Sequence, residues 1–387
     1  MAHYNTILHQ LLSLLPRHQF ESKVRTLGGD RYHKRLNTWS QLTTLIYAQA
    51  SGKTSLRDIE NGLLAKASRT YHLGLPSKIA RSTLADANSR RDWRIYEHLF
   101  YTLLERCRGL TPKHKFRFKN PLYSFDSTVI DLCLEMFPWA KSRKRKGALK
   151  LHCQLDHAGE LPSFVTVTDG KRADISVARE SFAIIPDSIY CFDRGYLDVA
   201  WLRRINASGA FFVTRSKENM DFHFVGQQMA IEKKNAFFEV EILPTGPSFS
   251  QFEGRLRLIG SRDLETGQEF ELITNNMTLS AQTIAEIYRA RWKIEIFFRW
   301  IKQNLKIKTF LGTSKNAVLT QIWVAMSYYL LLAYIKFQTK CRFSLFYLHR
   351  LIRETLMDAV SLMDLPNLNE KRLGGLRRLE LQLCLQL

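Results

Sequence analysis

Up to about residue 112 apolar side chains recur at helical intervals. Ile7, Leu8, Leu11, Leu12, Leu14 and Leu15 give residues 1–16 one apolar face, and Trp39, Leu42, Leu45 and Ile46 do the same between Thr38 and Gln49. Ser55 with Asp58 opens a further helix through Ile59 and Leu63. A turn at His72-Leu73-Gly74-Leu75-Pro76 then leads to Ser82–Arg91, which is polar and ends in two arginines. Two short helices about a glycine turn have the layout of a helix-turn-helix reader of DNA; an ordinary helical bundle gives the same pattern.

Beyond residue 120 the period changes. Leu122–Leu132, Gly147–Asp156, Leu161–Thr168, Ser188–Phe192 and Ala210–Lys217 read as strands separated by turn residues. Shorter strands follow at Ala236–Ile242, Arg255–Ile259 and Phe270–Thr274, with Pro, Gly and Asn between them, and predict a β-rich insertion. After Leu305 the pattern is helical again, with Ala317–Phe337 apolar enough to centre a C-terminal bundle and a Leu-rich end at Leu376–Leu387. The longest apolar run, Ile322–Ile335, is short for a membrane span and includes Ser327, so a buried helix is expected.

Between insertion and bundle lies Ser280–Leu305, free of Gly and Pro, with Ser280 as a candidate N-cap and Thr283 with Glu286 as a weaker capping pair. A helix of about seven turns is predicted. At about 100° per residue, Tyr288, Arg291, Glu295, Arg299 and Lys302 fall within an arc of roughly 80°. Ile287, Ile294, Phe298, Ile301 and Leu305 cluster beside this charged stripe, and Trp292, Ile296, Phe297 and Trp300 are read as filling much of the opposite side. A solvated surface helix would not look like this. The stripe is either an internal ladder of ion pairs, Arg291 and Glu295 being four apart, or a carboxylate set in the floor of a site with cations to hold a polyanion.

Charge narrows the partner. The 387 residues carry a formal net charge of +21, which calls for a broadly acidic partner. Nucleic acid comes first because Lys and Arg recur along the whole chain; ribosomal or membrane-surface binding would fit the charge alone. Two runs concentrate it: Lys113-His114-Lys115-Phe116-Arg117-Phe118-Lys119, a linker or an edge strand crossing a phosphate backbone, and Lys141 with Arg143–Lys146. Six cysteines without a CxxC pair indicate neither zinc ribbon nor disulfide framework and suit a reducing cytoplasm. Residues 1–16 have no basic n-region, which argues against a signal peptide. Gly52-Lys53-Thr54 lacks the earlier glycine of a phosphate loop, where Tyr47 stands, and nucleotide binding there is rejected.

Two further acids are out of place by local rules. Asp126 lies inside a predicted strand, where Asp is disfavoured and costly to bury, and Asp193 follows the apolar strand Ile189–Phe192, at a strand exit where chemistry is common. The alternative for Asp193 is a cap on a helix over Leu197–Ile205. Should Asp126, Asp193 and Glu295 converge, three negative charges would need cations among them. Mg²⁺ suits such a nest, because it takes oxygen ligands and leaves positions for water and phosphate.

The spacing of Tyr288, Arg291, Glu295 and Lys302 resembles the Tyr-Arg-Glu-Lys signature of DDE transposases of the insertion-sequence-four family, and the resemblance spans roughly residues 125–308. It implies an α/β fold with a ribonuclease H-like catalytic core interrupted by a β-rich insertion and flanked by helical regions. It implies 120–217 and 280–312 as two parts of the core and 218–279 as the insertion; the helical patterns on either side make 1–112 a helical DNA-binding region and 313–387 a helical region suited to dimerisation. By the same resemblance Asp126, Asp193 and Glu295 are the catalytic and metal-binding triad, with Mg²⁺, or Mn²⁺ as a substitute. Tyr288, Arg291 and Lys302, with Arg215 and the neighbouring Arg299, would hold DNA. Cut-and-paste relatives excise through a DNA hairpin and stack a flipped base on a Trp of the insertion, where this chain offers Phe270. The implied partners are transposon-end DNA, target DNA and a second copy of the chain at the bacterial nucleoid, with no membrane. Two other readings stay open: another metal-dependent nuclease on the same core, and a non-catalytic DNA binder derived from a transposase.

Overall fold

The computed structural model describes residues 5–31, 35–133, 135–140, 147–217, 220–231, 235–245, 252, 254–304 and 310–367. The basic run at 141–146 and the Leu-rich end at 376–387 lie outside them. Two compact units are present, one formed by residues 1–112 with 300–387, the other by 113–299. The N- and C-terminal helical regions, expected as separate regions, thus share one unit, and the second core segment expected over 280–312 is divided at Arg299.

The helical unit begins with α1 (Ile7–Ser13), α2 (Arg17–Thr26), α3 (Thr38–Ser51), α4 (Leu56–Leu64), α5 (Ala67–Thr70), α6 (Arg81–Arg90) and α7 (Arg94–Arg108). The caps follow the sequence: Asn37 accepts from Ser40 N at the start of α3, and Ser55 from Asp58 N at the start of α4. Gly52 ends α3 at φ 67°, the left-handed conformation glycine tolerates, which accounts for its place in Gly52-Lys53-Thr54. In the expected DNA-reading segment Ser82–Arg91, the last residue is excluded as a contact. Arg91 is buried, and its guanidinium donates to Gly29 O, Asn37 O and Gln41 Oε1. An arginine desolvated this far needs those carbonyls, and they fix it in the bundle. Ser82 and Thr83 remain exposed.

The second unit is built on one sheet. Its strands are β1 (Leu122–Leu132), β2 (Gly147–Asp156), β3 (Leu161–Asp169), β4 (Ile189–Cys191), β5 (Phe211–Arg215), β6 (Phe222–Phe224), β7 (Met229–Ala230), β8 (Ala236–Pro244), β9 (Leu256–Arg262) and β10 (Glu269–Thr274). Their spatial order is β3-β2-β1-β4-β5-β10-β9-β8-β6, with β7 on β8. β1, β2 and β3 form an antiparallel meander, while β4 runs parallel to β1 and to β5. That is the order of a ribonuclease H-like core. The insertion extends the core sheet through β10, antiparallel to β5.

Alternation divides the sheet into two faces. Tyr123, Phe125, Tyr190, Phe192 and Phe212 pack on one side with α8 (Asp174–Ser181) and α9 (Val199–Ala207), around the fully buried Trp201. Leu122, Ile189, Cys191, Val213 and Leu272 pack on the other with α10 (Ala281–Ala290). Within the insertion Gly260 on β9 faces Phe238 on β8, and a Cβ there would lie 2.3 Å from the ring. Gly260→Ala should therefore destabilise the protein by roughly 1–3 kcal/mol, since ring or strand must shift. Thermal unfolding checks this, and an unchanged midpoint would show the ring to be free to move.

The predicted long helix is two, α10 and α11 (Trp292–Asn304), and Leu305 lies outside the described residues. Ser280 caps the first as expected, accepting from Thr283 N. At the junction Arg291 N donates to Tyr288 O and Ile294 N to Arg291 O, three residues back, so the ladder tightens around Arg291. The chain crosses between the units inside α11. α12 (Lys315–Gln338) and α13 (Leu345–Thr355) complete the helical unit, with Asn316 Nδ2 donating to Asn88 O. α12 is long and apolar enough to cross a membrane, but its most apolar window is 94% buried, and Trp323 stacks parallel to Trp93.

Candidate active site

Two strands and one helix bring the predicted acids to the same side of the sheet. The last pair of β1 with β4 is Ser124 with Cys191; Asp126 lies two residues further along β1, and Asp193 two residues past the end of β4, at the start of a short turn. Each keeps the parity of residues packed on α10: Leu122 on β1, Ile189 and Cys191 on β4. Cys191 Sγ reaches Ile287 O at 3.7 Å, tying β4 to α10 just ahead of the helix that carries Glu295.

Arg291 spans two of the three acids. Its Nη1 lies 3.8 Å from Asp126 Oδ2, and its Nη2 donates to Glu295 Oε1 at 2.8 Å. Asp126 Oδ1 accepts from Ser127 N at 2.8 Å. Burial is the largest influence on Asp126 and pushes its carboxyl up to about 7; Ser127 N and Arg291 oppose that, while Asp193 and Glu295 add repulsion. Both other acids therefore act electrostatically on Asp126. Asp193 does not cap the helix that the local reading allowed it to cap, since Asp198 caps α9; its Oδ1 instead caps a short turn, accepting from Gly195 N at 2.9 Å.

A layered stack adjoins this group. The Arg215 guanidinium lies 4.0 Å from the centre of the Phe270 ring and 5.5 Å from that of Tyr288, and Arg291 lies 5.7 Å from Tyr288. Phe270, proposed from the sequence as a plate for a flipped base, thus has one ring face covered by Arg215. Arg299 is exposed on α11, and Lys302, half-buried, falls two turns beyond Glu295 in the other unit.

Trp292 and Ile296 depart from the expected pattern. They are 50% and 52% exposed, where an apolar interior side was expected. At about 100° per residue Trp292 stands only about 40° from Tyr288, so it borders the charged stripe. The signal was present in the spacing and was overridden by residue type.

The donor chemistry suits a hard divalent cation: three carboxylates, two of which have one oxygen engaged by a backbone amide. As they stand, no three His, Cys, Asp or Glu side chains among the described residues are grouped to hold an ion. Arg291 lies between two of the three carboxylates, donating to Glu295 Oε1 at 2.8 Å with its Nη1 3.8 Å from Asp126 Oδ2.

A ribonuclease H-like sheet with one acid inside β1 and another just past the end of the adjacent parallel β4 is a frame suited to an enzyme that transfers phosphoryl groups on nucleic acid. Residues 117–331 match the family model described as Transposase DDE domain, and residues 3–76 a domain of unknown function, DUF4372. A protein described as a transposase candidate, y4zB of Sinorhizobium fredii, is 35% identical over 66% of this chain and 72% of its own length. The probable transposase for insertion sequence element IS5377 of Geobacillus stearothermophilus is 30% identical over 69% and 70%. Among solved structures, a piggyBac transposase synaptic complex with hairpin DNA overlays with a TM-score of 0.41 at 9% identity, covering 92% of this chain and 76% of the other, too distant to support an inference. The chain belongs to the DDE transposases. Its chemistry is cleavage and transesterification of DNA, dependent on a divalent metal.

Proposed function

We propose that this transposase, of the insertion-sequence-four type, cuts both ends of its element and inserts them into target DNA by a cut-and-paste route. Asp126, Asp193 and Glu295 are the catalytic triad, Mg²⁺ is the ion they hold, Mn²⁺ replaces it, and the working form is a homodimer on DNA in the bacterial cytoplasm. The observation that supports this reading is that Asp126 and Asp193 each follow the Ser124–Cys191 pair of β1 and β4 by two residues, and that Arg291 lies 3.8 Å from Asp126 and 2.8 Å from Glu295.

When bound, the ions supply Lewis acidity that activates a water or a 3′-hydroxyl and steadies the leaving oxygen. The chain's own residues do the rest. The β1–β4 register sets each aspartate two residues past the last strand pair, and Phe270 and Tyr288 hold the Arg215 guanidinium for the phosphate chain. Trp292 offers an exposed ring beside Glu295 on which an unpaired base can stack. Because Arg215 already covers a face of Phe270, that residue serves in this reading as backing for the arginine.

The test is cleavage of linear DNA carrying the element's terminal inverted repeats. Nicking and strand transfer are expected with Mg²⁺ or Mn²⁺, none with EDTA, and none on duplex lacking the repeats. Cutting of any duplex at equal rate would make the protein a general nuclease, and binding without cutting in either metal would leave a non-catalytic DNA binder.

A further inference from the structure

Lys113, Lys115, Arg117 and Lys119 are all exposed, and between them His114, Phe116 and Phe118 are half-buried. The alternation is that of a strand, but the segment passes through a run of bends and pairs with no strand. Its aromatic side is fastened. Phe116 and Phe118 pack against the cluster formed by β1, β4, β5 and α10, with ring centres 5.1 Å apart. His114 lies 4.9 Å from Phe118, and its Nε2 is 2.9 Å from Asn120 O. Asn120 Nδ2 donates to Asp187 O at 2.6 Å, and Ile189 N to Pro121 O at 2.8 Å, so the segment is pinned where it enters β1.

The outward side is the opposite case. No acidic residue occurs from Lys113 to Phe125, and the four cations form no hydrogen bond or ion pair within the described residues. A plain linker would leave its aromatics as mobile as its lysines. Here three rings are spent on holding the backbone, and what they hold in place is four uncompensated positive charges. Like charges fixed this close repel, and a polyanion laid along them relieves the repulsion without further ordering of the chain.

We infer that residues 113–119 form a preorganised track for the sugar–phosphate backbone of duplex DNA, separate from the acids of the cleavage site. This inference rests on the DNA-cutting reading of the same unit. The track joins β1 at its Leu122 end; Leu122 to Asp126 is about 13 Å along the strand. DNA crossing this face from the site would reach the track about four or more base steps from the cut bond.

The test compares wild type with the triple variant Lys115→Gln, Arg117→Gln, Lys119→Gln, using the salt dependence of duplex binding. Each phosphate contact contributes about 0.9 to the slope of log K against log salt, so the slope should fall by about 2 to 3. Affinity should drop about a hundredfold near physiological salt, while the unfolding midpoint stays unchanged. The variant Lys115→Arg, Arg117→Lys, Lys119→Arg should keep the full slope. Terminal-repeat duplex and unrelated duplex form two arms: a loss confined to the first assigns the track to transposon-end DNA, and a loss confined to the second assigns it to target DNA. An unchanged slope on both duplexes overturns the track. If Asp126→Asn abolishes cleavage in the same preparations, the proposed function survives that result.

Discussion

Asp126→Asn should stop cleavage of terminal-repeat DNA in Mg²⁺ while leaving binding to the same DNA intact. The expected loss is about 10³-fold or more, because changes merely outside a metal's ligand shell already cost 10–100-fold. The same substitution should also stabilise the protein above pH 7. Burial holds the Asp126 carboxyl near 7 in the folded chain against 3.8 for an ordinary aspartate, so between those values the native state binds the extra proton and stability declines as pH rises. The full displacement corresponds to about 4 kcal/mol. The side chain is 21% exposed, and water takes back part of that, leaving about 1–2 kcal/mol. Unfolding midpoints in EDTA at pH 5 and pH 8 check it: the advantage of the Asn variant should be small at the first and large at the second. Equal midpoints at both would mean that Asp126 is well hydrated. His152 and His157 work with the opposite sign. Burial pushes them down to about 4 and about 3, so the stability that depends on their staying neutral is full above pH 6.5 and is lost towards pH 4. The wild-type profile sums both trends, and only the substitution separates them.

Arg291→Ala should move two measurements in opposite directions. Without DNA, Mn²⁺ should bind about tenfold more tightly by calorimetry, because a guanidinium 2.8 Å from Glu295 and 3.8 Å from Asp126 competes for the carboxylates. With DNA, cleavage should fall by about 10²–10³-fold, the usual loss when a donor to developing phosphoryl charge is removed. An arginine that only ties helix to sheet predicts otherwise: metal affinity, cleavage and unfolding midpoint would fall together, as for any broken ladder.

Much of the sheet is legible in the sequence. β1 and β2 have the bounds the alternation predicts, because period two over ten or more residues with turn signals at both ends admits few other readings. Ser280 and Ser55 cap the helices they were expected to cap, since capping is decided within four residues. The failures are long-range. Nothing local says that β10 will pair with β5 and so attach the insertion to the core sheet. Arg91 reads as a basic end of a DNA-reading helix until Gly29, Asn37 and Gln41 close around it from other parts of the chain. The break at Arg291 has no glycine or proline to announce it. For the site, residue types and spacing named Asp126, Asp193 and Glu295 as candidates, but the shared face follows from the pairing of β1 with β4, which a sequence does not display.

That pairing makes the gene unevenly fragile. One extra codon in β1 just ahead of Asp126 would turn that side chain, and the alternation of the strand beyond it, to the other side of the sheet, so a drifting copy of the element would lose cutting and part of its core together. Deletions of a few codons in the insertion hairpins carry no such penalty for the two aspartates. Among decayed copies in a genome, in-frame indels should therefore accumulate in the hairpins long before they reach those two strands in any copy that still jumps.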